Sequence, residues 1–519
     1  MLRKLINPSK SVLLIIIIFV LANLLTRGPD FLKYIKCPSD KWFTGQASWF
    51  DPWDINLYFS AIGWGKRDGF LFENLYDTGH SQRMLLFPLY IILGKTAKFF
   101  ELSNPLMFHL GGIVLSFILA SVVWWLIKLF LNQEVERKTA FVLIFLGGGL
   151  GWLFFDQTIL PDLGTPGFTL ATALRMPREA FSLSLFLLTL GNFWQAIIYQ
   201  RKNQLILATF FSFLMMLFHP YNLISLGTIF LCFGIYQCLK KDSFNFLKPL
   251  FLLVTVGITY YFSIGKQLLS NSGFSGQASQ SQSTPTPFQA IAGWGFLFPL
   301  IIIAFFSKKE SEKTNFLKIW FLSHWLILYL PFSFQKLMIR GLWIPTVLLA
   351  TKGTKELAQK INLSFPLIAA LILILTSIPS FFMTYKRIVE TPENRWIYLT
   401  KEEGEVIEYL KTHGQDEEGV LASYRIANII PAHTTKRVYA GHLFQTPNFE
   451  ERMNQVNKFY SGKMEKLEPE KFLKNINVRW VFWGPDEKAI AGLTEMPFKN
   501  LLKPVIEKNG VSLYRIRNY

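Results

Sequence analysis

Twelve apolar runs recur along the chain, near residues 11–27, 84–100, 106–131, 140–155, 183–199, 205–219, 222–239, 249–264, 289–306, 316–331, 341–351 and 365–383. A helix needs about 20 apolar residues to cross a bilayer, and most of these runs approach that length. Lipid, or one another, is where such segments are buried. With 51% hydrophobic and 17% charged residues and 50 Phe among 519, the pattern describes an α-helical polytopic membrane protein and excludes a soluble multidomain chain. The opening MLRKLINPSKSVLLIIIIFVLANLLT has a basic start without a small-residue cleavage site, and reads as a retained signal anchor.

The formal charge of +18 would suit nucleic acid in a soluble protein. Here many Lys and Arg sit in short connections between apolar runs, where they orient the chain, so no nucleic-acid partner is expected. Cys37, Cys232 and Cys238 have no metal-binding spacing and do not form a disulfide framework. The basic connections are the N-terminus, NQEVERK, QRKNQ, KKDSFNFLK, SKKESEK and TKGTKELAQK. They all fall on the cytoplasmic side if one early run does not cross. The run at 83–100 carries Pro88, Lys95 and Lys98 and is therefore expected to be an interfacial or re-entrant helix.

Eleven spans follow, with a cytoplasmic N-terminus in the plasma membrane. They form a membrane domain over 1–383 whose first outer loop is 28–105. The sequence after Phe382 becomes charged and strand-like, which predicts a small extracytoplasmic α/β domain over 384–519. Its strands are expected in GVLAS, RVYAG, VRWVFWG and VSLYRI, and its helices in GEVIEYLKTHG and in NFEERMNQVNKFY, the latter begun by Asn448. The segment SNSGFSGQASQSQSTPTP, 270–287, reads as a flexible outer loop.

Within the first outer loop, SWFDPWDINLYFSAIGWGKRDGF places Asp51 and Asp54 beside aromatic residues. Asp51 precedes Pro52, so one reading is a helix N-cap, with Asp54 complementing the helix dipole in the first turn. The other is functional: a carboxylate at the water boundary is placed to take a proton from an acceptor or to hold a cation beside a phosphate. The helix from 52 to about 65 carries an apolar stripe of Ile55, Phe59 and Ile62, with Asp51, Asp54 and Tyr58 on another face.

The plan of one N-terminal span, an acidic first outer loop, many further spans and an outer α/β tail resembles the GT-C superfamily of polyprenyl-phosphate-dependent glycosyltransferases. FDPWDINLY is similar to the FDPWFNYR stretch of the oligosaccharyltransferase catalytic subunit, whose Asp matches Asp51. Asp54, Tyr58 and Gly69 fit the D-x3-Y-x10-G spacing of protein O-mannosyltransferases and aminoarabinose transferases, whose first Asp is the proposed base. Both carboxylates are carried forward, with Asp54 preferred. The usual Asp-Glu pair of the mannosyltransferases is Asp54-Ile55 here, and the WWDYG sequon-binding motif is absent, which argues against asparagine-linked transfer.

The next outer loop supplies Asp156, Asp162 and Glu179. Glu179 stands immediately before a span, as the second acid of the family does; its structural alternative is a salt bridge to Arg175 or a helix N-terminal charge. The resemblance implies a lipid-linked sugar donor carrying phosphate, for which Arg340, Arg175 and Arg178 are the candidate bidentate cations. His219, in FHPYN, is either a helix-ending interfacial residue or a hydrogen-bond donor to phosphate or sugar. His80 is a further candidate for lining the cavity.

The expected function is inverting transfer of a sugar from a polyprenyl (di)phosphate to a glycan, lipid or protein acceptor on the outer face of the membrane. Asp54 and Asp51 would act on the acceptor hydroxyl, Glu179 would position substrate or a divalent cation, and the Arg residues would hold the leaving phosphate. The rival is a non-catalytic polysaccharide transporter or envelope assembly protein, which should carry ionisable groups or Gly/Pro breaks in mid-span. In this sequence charges concentrate at span ends. Gly147, Gly148 and Gly149 interrupt one run, and are expected to allow close helix packing.

Overall fold

Helices that must satisfy every backbone polar group internally dominate this chain, as the apolar runs require. The computed structural model describes residues 10–48, 51–67, 69–79, 82–241, 244–267, 284–308, 311–331, 335–465 and 468–517. It divides into two compact units. The first comprises Met1–Pro29, Gly111–Ser263 and Ser281–Ile388, and the second Asp30–Leu110, Ile264–Gln280 and Val389–Tyr519.

Among the described residues, seven helices are long and apolar enough to span a membrane, among them Lys10–Ile35, Asn104–Phe130, Pro177–Tyr199 and Phe365–Val389. Pro287–Trp294 and Leu297–Phe305 together add an eighth if counted as one span, although they meet at 98°. At the remaining expected positions lie three helices: Lys202–Phe218, Glu312–Ile327 and Trp343–Lys360. The last runs well past the expected 341–351, because its C-terminal half is polar and lies beyond the apolar run.

The Gly147–Gly149 stretch does more than admit a neighbour. The helix Glu134–Leu146 ends at Gly147, which is extended at φ −75°, ψ 151°, and a short turn resumes at Gly151–Phe154. The freed N–H groups are all satisfied: Gly148 donates to the Thr376 carbonyl at 2.7 Å, Gly149 to Asp162 Oδ2 at 3.0 Å and Leu150 to the Ala292 carbonyl at 2.9 Å. A Cβ on Gly149 would stand 2.2 Å from the Gly293 carbonyl oxygen. The triplet therefore both breaks the helix and lets two backbones touch.

In the second unit residues 30–110 and 389–519 fold together. Strand β1 (Lys41–Phe43) pairs antiparallel with β2 (Tyr398–Thr400), with Trp42 opposite Leu399. The strands β3 (Gly419–Leu421), β4 (Arg437–Val438), β5 (Val478–Trp483), β6 (Leu502–Lys508) and β7 (Val511–Ile516) make a sheet of order β4-β3-β5-β7-β6. Pairings are parallel from β4 through β5 and antiparallel beyond. All four expected strands are present. The fifth, β6, is an edge strand carrying Pro504, where a missing N–H costs little; Asn509 and Gly510, at φ 39° and 83°, turn it into β7.

The helix Phe449–Tyr460 forms where expected, but Asn448 sits at φ 48° and makes no side-chain cap. The 83–100 segment contains the 12-residue helix Pro88–Phe99, too short to cross a bilayer. Most of the expected 270–287 loop lies outside the described residues.

Candidate functional site

Two clusters of candidate residues form, one in each unit. In the second unit, the helix Pro52–Gly65 starts with Pro at its first position and Asp54 in its first turn, where the helix dipole favours a negative charge. Asp51 occupies the N-cap position but makes no side-chain capping hydrogen bond, so the simple capping account of that residue fails.

The helix itself is held by buried contacts on several sides. Ile55, Phe59 and Ile62 are buried as expected; Phe59 meets the Phe108 ring edge-on at 5.3 Å. Tyr58, expected on the polar face, is also buried, and its ring stacks on Tyr90 at 4.5 Å. Its ring is thus committed to packing. Asn56 donates to Asn428 Oδ1 at 2.8 Å, and Asn428 in turn donates to the Gly441 carbonyl at 2.8 Å. That chain of amides fixes the backbone just before His442.

His442 is a neighbour of Asp54 that sequence reasoning did not find. Its Nδ1 accepts a hydrogen bond from the Phe444 N–H at 3.2 Å. In neutral imidazole the proton then resides on Nε2. That nitrogen lies 3.1 Å from Asp54 Oδ1, so Nε2–H donates to the carboxylate. The imidazole is 1% exposed, while the Asp54 side chain is 33% exposed. One carboxylate oxygen is thereby oriented by a buried donor in a side chain that still reaches solvent. Nothing in the sequence marked this pairing, since its members are 388 positions apart.

In the first unit, Glu179 and Arg340 form a buried bidentate pair: Arg340 Nη2 donates to Glu179 Oε1 at 2.9 Å, and Nε donates to Oε2. Their side chains are 1% and 6% exposed. The expected partner Arg175 is elsewhere, donating from Nη2 to the Leu163 carbonyl at 2.8 Å. Arg178 Nη2 lies 3.4 Å from Glu179 Oε1 and is the partly exposed member of the group. One carboxylate against two guanidinium groups leaves a net positive charge, the sign a phosphate needs.

Several devices hold Arg340 in place. It follows the tight turn Gln335–Ile339, donates from Nη1 to the Leu337 carbonyl at 2.7 Å, and precedes Gly341 at φ 94°. A Cβ on Gly341 would strike the Phe186 ring at 2.6 Å, so only glycine permits both the turn and the approach. His324 supports the same turn through Nε2 to the Met338 carbonyl, its Nδ1 accepting from Trp320 Nε1 at 3.3 Å.

His219 lies between the helices Lys202–Phe218 and Tyr221–Lys241, with Nε2 3.8 Å from Glu179 Oε1. That distance is too long for a hydrogen bond. Burial, reinforced by the Arg340 charge, pushes its pKa down to about 4, so it is neutral at ordinary pH. Its Nδ1 has no hydrogen-bond partner among the described residues. His80 lies outside the described residues. Among those residues no group of three or more His, Cys, Asp and Glu side chains is placed to hold a metal ion.

No protein-family model and no curated protein sequence matches the chain. Solved structures do. An Archaeoglobus fulgidus oligosaccharyltransferase tethered to an acceptor peptide with an NVT sequon aligns at TM-score 0.55 and 13% identity, over 91% of this chain and 69% of its own. ArnT from Cupriavidus metallidurans bound to undecaprenyl phosphate aligns at TM-score 0.53 and 8% identity, over 98% of each chain. The mycobacterial arabinofuranosyltransferase AftD aligns at TM-score 0.56 and 10% identity, over 97% of this chain and 40% of its own. The chain shares the fold of these three structures.

Proposed function

We propose that this protein is a glycosyltransferase that moves a sugar from a polyprenyl phosphate or diphosphate to an acceptor on the outer face of the plasma membrane. Its N-terminus is cytoplasmic and its α/β unit extracytoplasmic. The observation that carries the chemistry is Asp54, a partly exposed carboxylate oriented by the buried Nε2–H of His442. Such a group can deprotonate or orient an acceptor hydroxyl as it attacks the sugar carbon. His442 leaves the second oxygen of Asp54 to the acceptor.

The leaving group requires the opposite charge. Arg340 is fixed bidentately by Glu179, and Arg178 adds a second guanidinium. Together they supply preorganised positive charge for a departing phosphate, which costs no reorganisation during the reaction. Glu179 thus acts as a positioning residue for Arg340 rather than as an acid. His219, neutral and with an open Nδ1, is suited to a hydrogen bond with a phosphate or sugar hydroxyl. Asp51 is kept as a secondary acceptor-orienting group. The lipid-phosphate chemistry is supported by the fold shared with proteins whose structures hold dolichol-phosphate and undecaprenyl phosphate.

The test is incubation of purified protein with radiolabelled polyprenyl-phosphate and polyprenyl-diphosphate sugars and membrane extract. Label passing from lipid to an acceptor is expected. Movement of intact glycolipid across proteoliposomes, with no bond cleaved, would replace this reading with that of a transporter.

A further inference from the structure

A row of four aromatic rings begins beside Asp54, within the second unit. Trp53, the residue before Asp54, meets Trp396 at 6.0 Å between ring centroids, Trp396 meets Tyr424 at 5.9 Å, and Tyr424 meets Phe449 at 5.5 Å. Four separate segments supply them: the first turn of Pro52–Gly65, the approach to β2, and the first residues of the helices Tyr424–His433 and Phe449–Tyr460. Each crossing is edge-to-face, at 71°, 78° and 74°, so the rings do not cover one another as stacked rings would. All four side chains remain partly exposed. By contrast Phe59, Phe72, Tyr76 and Tyr90 of the same unit are fully buried.

The row is held in place by its neighbours in sequence. Arg395, before Trp396, and Arg425, after Tyr424, both donate to Asp486 Oδ1. One carboxylate thereby ties two of the ring-bearing segments together. The polar ends of the row are open: Tyr424 Oη and the indole N–H groups of Trp53 and Trp396 make no hydrogen bond among the described residues. Burial and the charge of Asp54 raise the Tyr424 pKa to about 12, so its hydroxyl keeps its proton and can donate.

These features select among ligand chemistries. An acyl chain would cover the rings and leave the Asp54 carboxylate and three donors unanswered. An extended peptide needs main-chain partners, and at Trp396 the main chain is taken: its N–H donates to Asn394 Oδ1, and its carbonyl accepts from Thr44 and Gln46. A pyranose carries an apolar C–H face with a rim of hydroxyls, which matches ring faces edged by a few polar groups.

On the reading of Asp54 as the group that acts on the acceptor, we propose that the acceptor is a saccharide whose sugar rings pack on Trp53, Trp396, Tyr424 and Phe449 and so bring one hydroxyl to Asp54. In transfer that hydroxyl's oxygen bonds to the anomeric carbon of the donor sugar, the phosphate oxygen leaves with the electron pair of the broken bond, and the proton passes to Asp54.

The test separates this surface from the reaction. A glycan fraction is prepared from the organism's own membranes by protease digestion and mild alkaline deacylation, which remove peptide and acyl chains, and is labelled at its reducing ends with tritium. Equilibrium binding to the full chain in detergent should saturate for wild type. Trp396→Ala should weaken it at least about tenfold, the effect of removing an aromatic anchor, whereas Trp396→Phe, which keeps a ring, should stay within about threefold. Polyprenyl-phosphate sugar should bind to all three alike, which reports that they are folded. In the transfer assay Trp396→Ala should raise the amount of acceptor needed for half-maximal rate with little change in kcat, and partial acid hydrolysis of the wild-type product should release a labelled disaccharide. No saturable binding by wild type, undiminished binding by Trp396→Ala, or label carried on an amino acid or a lipid and in no disaccharide would each overturn the proposal. Binding as expected with no sugar transferred would instead overturn the enzyme and leave the saccharide surface standing.

Discussion

Asp54 is readable from sequence as an acid at a helix start, but its contact with His442 is not. If the imidazole orients the carboxylate, His442→Ala should slow transfer by up to about 100-fold, the scale of a small misplacement of a reacting group. His442→Gln, which restores an N–H near Nε2, should recover most of it; equal loss in both variants would assign His442 to folding alone. At the second cluster, Glu179→Gln leaves the Arg340 charge buried without its counter-ion, and breaking such a pair costs about 3–5 kcal/mol. Thermal unfolding should show that loss, and should show part of it regained in Glu179→Leu combined with Arg340→Met. Asp162 gives a pH signature. Burial raises its pKa to about 7 from the usual 3.8, against the two glycine hydrogen bonds. The folded protein keeps the proton where the unfolded chain has lost it, so this residue's contribution to stability is full below about pH 4 and is lost as pH rises to about 7. Asp162→Asn should therefore be more stable than wild type at pH 8 and lose that advantage at pH 4; a difference independent of pH contradicts the assignment. Residue types made Asp54, Glu179 and Arg340 visible beforehand. Asp162 was visible too, yet nothing in sequence shows that one of its oxygens would be taken by two backbone N–H groups.

Helix placement follows from apolar periodicity, and helix contact follows from small residues whose partners only the fold reveals. Gly65 and Gly94 face each other: a Cβ on Gly94 would stand 2.3 Å from the Ile62 carbonyl, and one on Gly65 would stand 2.5 Å from the Ile91 carbonyl. The backbones of Pro52–Gly65 and Pro88–Phe99 therefore touch, and Gly94→Ala should destabilise by about 1–3 kcal/mol, as overpacking does. Because that contact seats the Asp54 helix, transfer should fall as well, whereas Gly257→Ala, at a position with nothing within 4 Å of the added Cβ, should leave both unchanged. The tail strands were legible because alternating β-branched and aromatic residues bounded by turn residues have few other uses. Strand β6 was not, since Leu502–Lys508 carries Pro504 and the exposed charges Lys503, Glu507 and Lys508, and its strand character comes from pairing with β7. Broken helices were also illegible: an apolar run containing three glycines has the same composition whether the helix continues through it or stops.

At the scale of the molecule, the division of the chain departs from its linear plan, since residues 30–110 fold into one unit with 389–519. Charge pattern suggested a membrane domain ending near 383 and a separate tail, because hydropathy reports where a segment resides and not which segments pair. Orientation has its own test. In a background lacking Cys37, Cys232 and Cys238, single cysteines at the exposed positions Gln133 and Lys463 should respond oppositely to an impermeant thiol reagent in intact cells, only the latter reacting; labelling of Gln133→Cys would invert the topology. The central claim is that Asp54 acts on the acceptor while the Glu179–Arg340 group holds the donor phosphate. It is tested most directly by measuring donor binding and sugar transfer side by side for wild type, Asp54→Asn and Arg340→Met. Asp54→Asn should bind polyprenyl-phosphate sugar as wild type does and transfer it about 10²–10⁴-fold more slowly, the range for a lost general base, and Arg340→Met should lose donor affinity. Undiminished transfer by Asp54→Asn, or undiminished donor binding by Arg340→Met, would contradict the account.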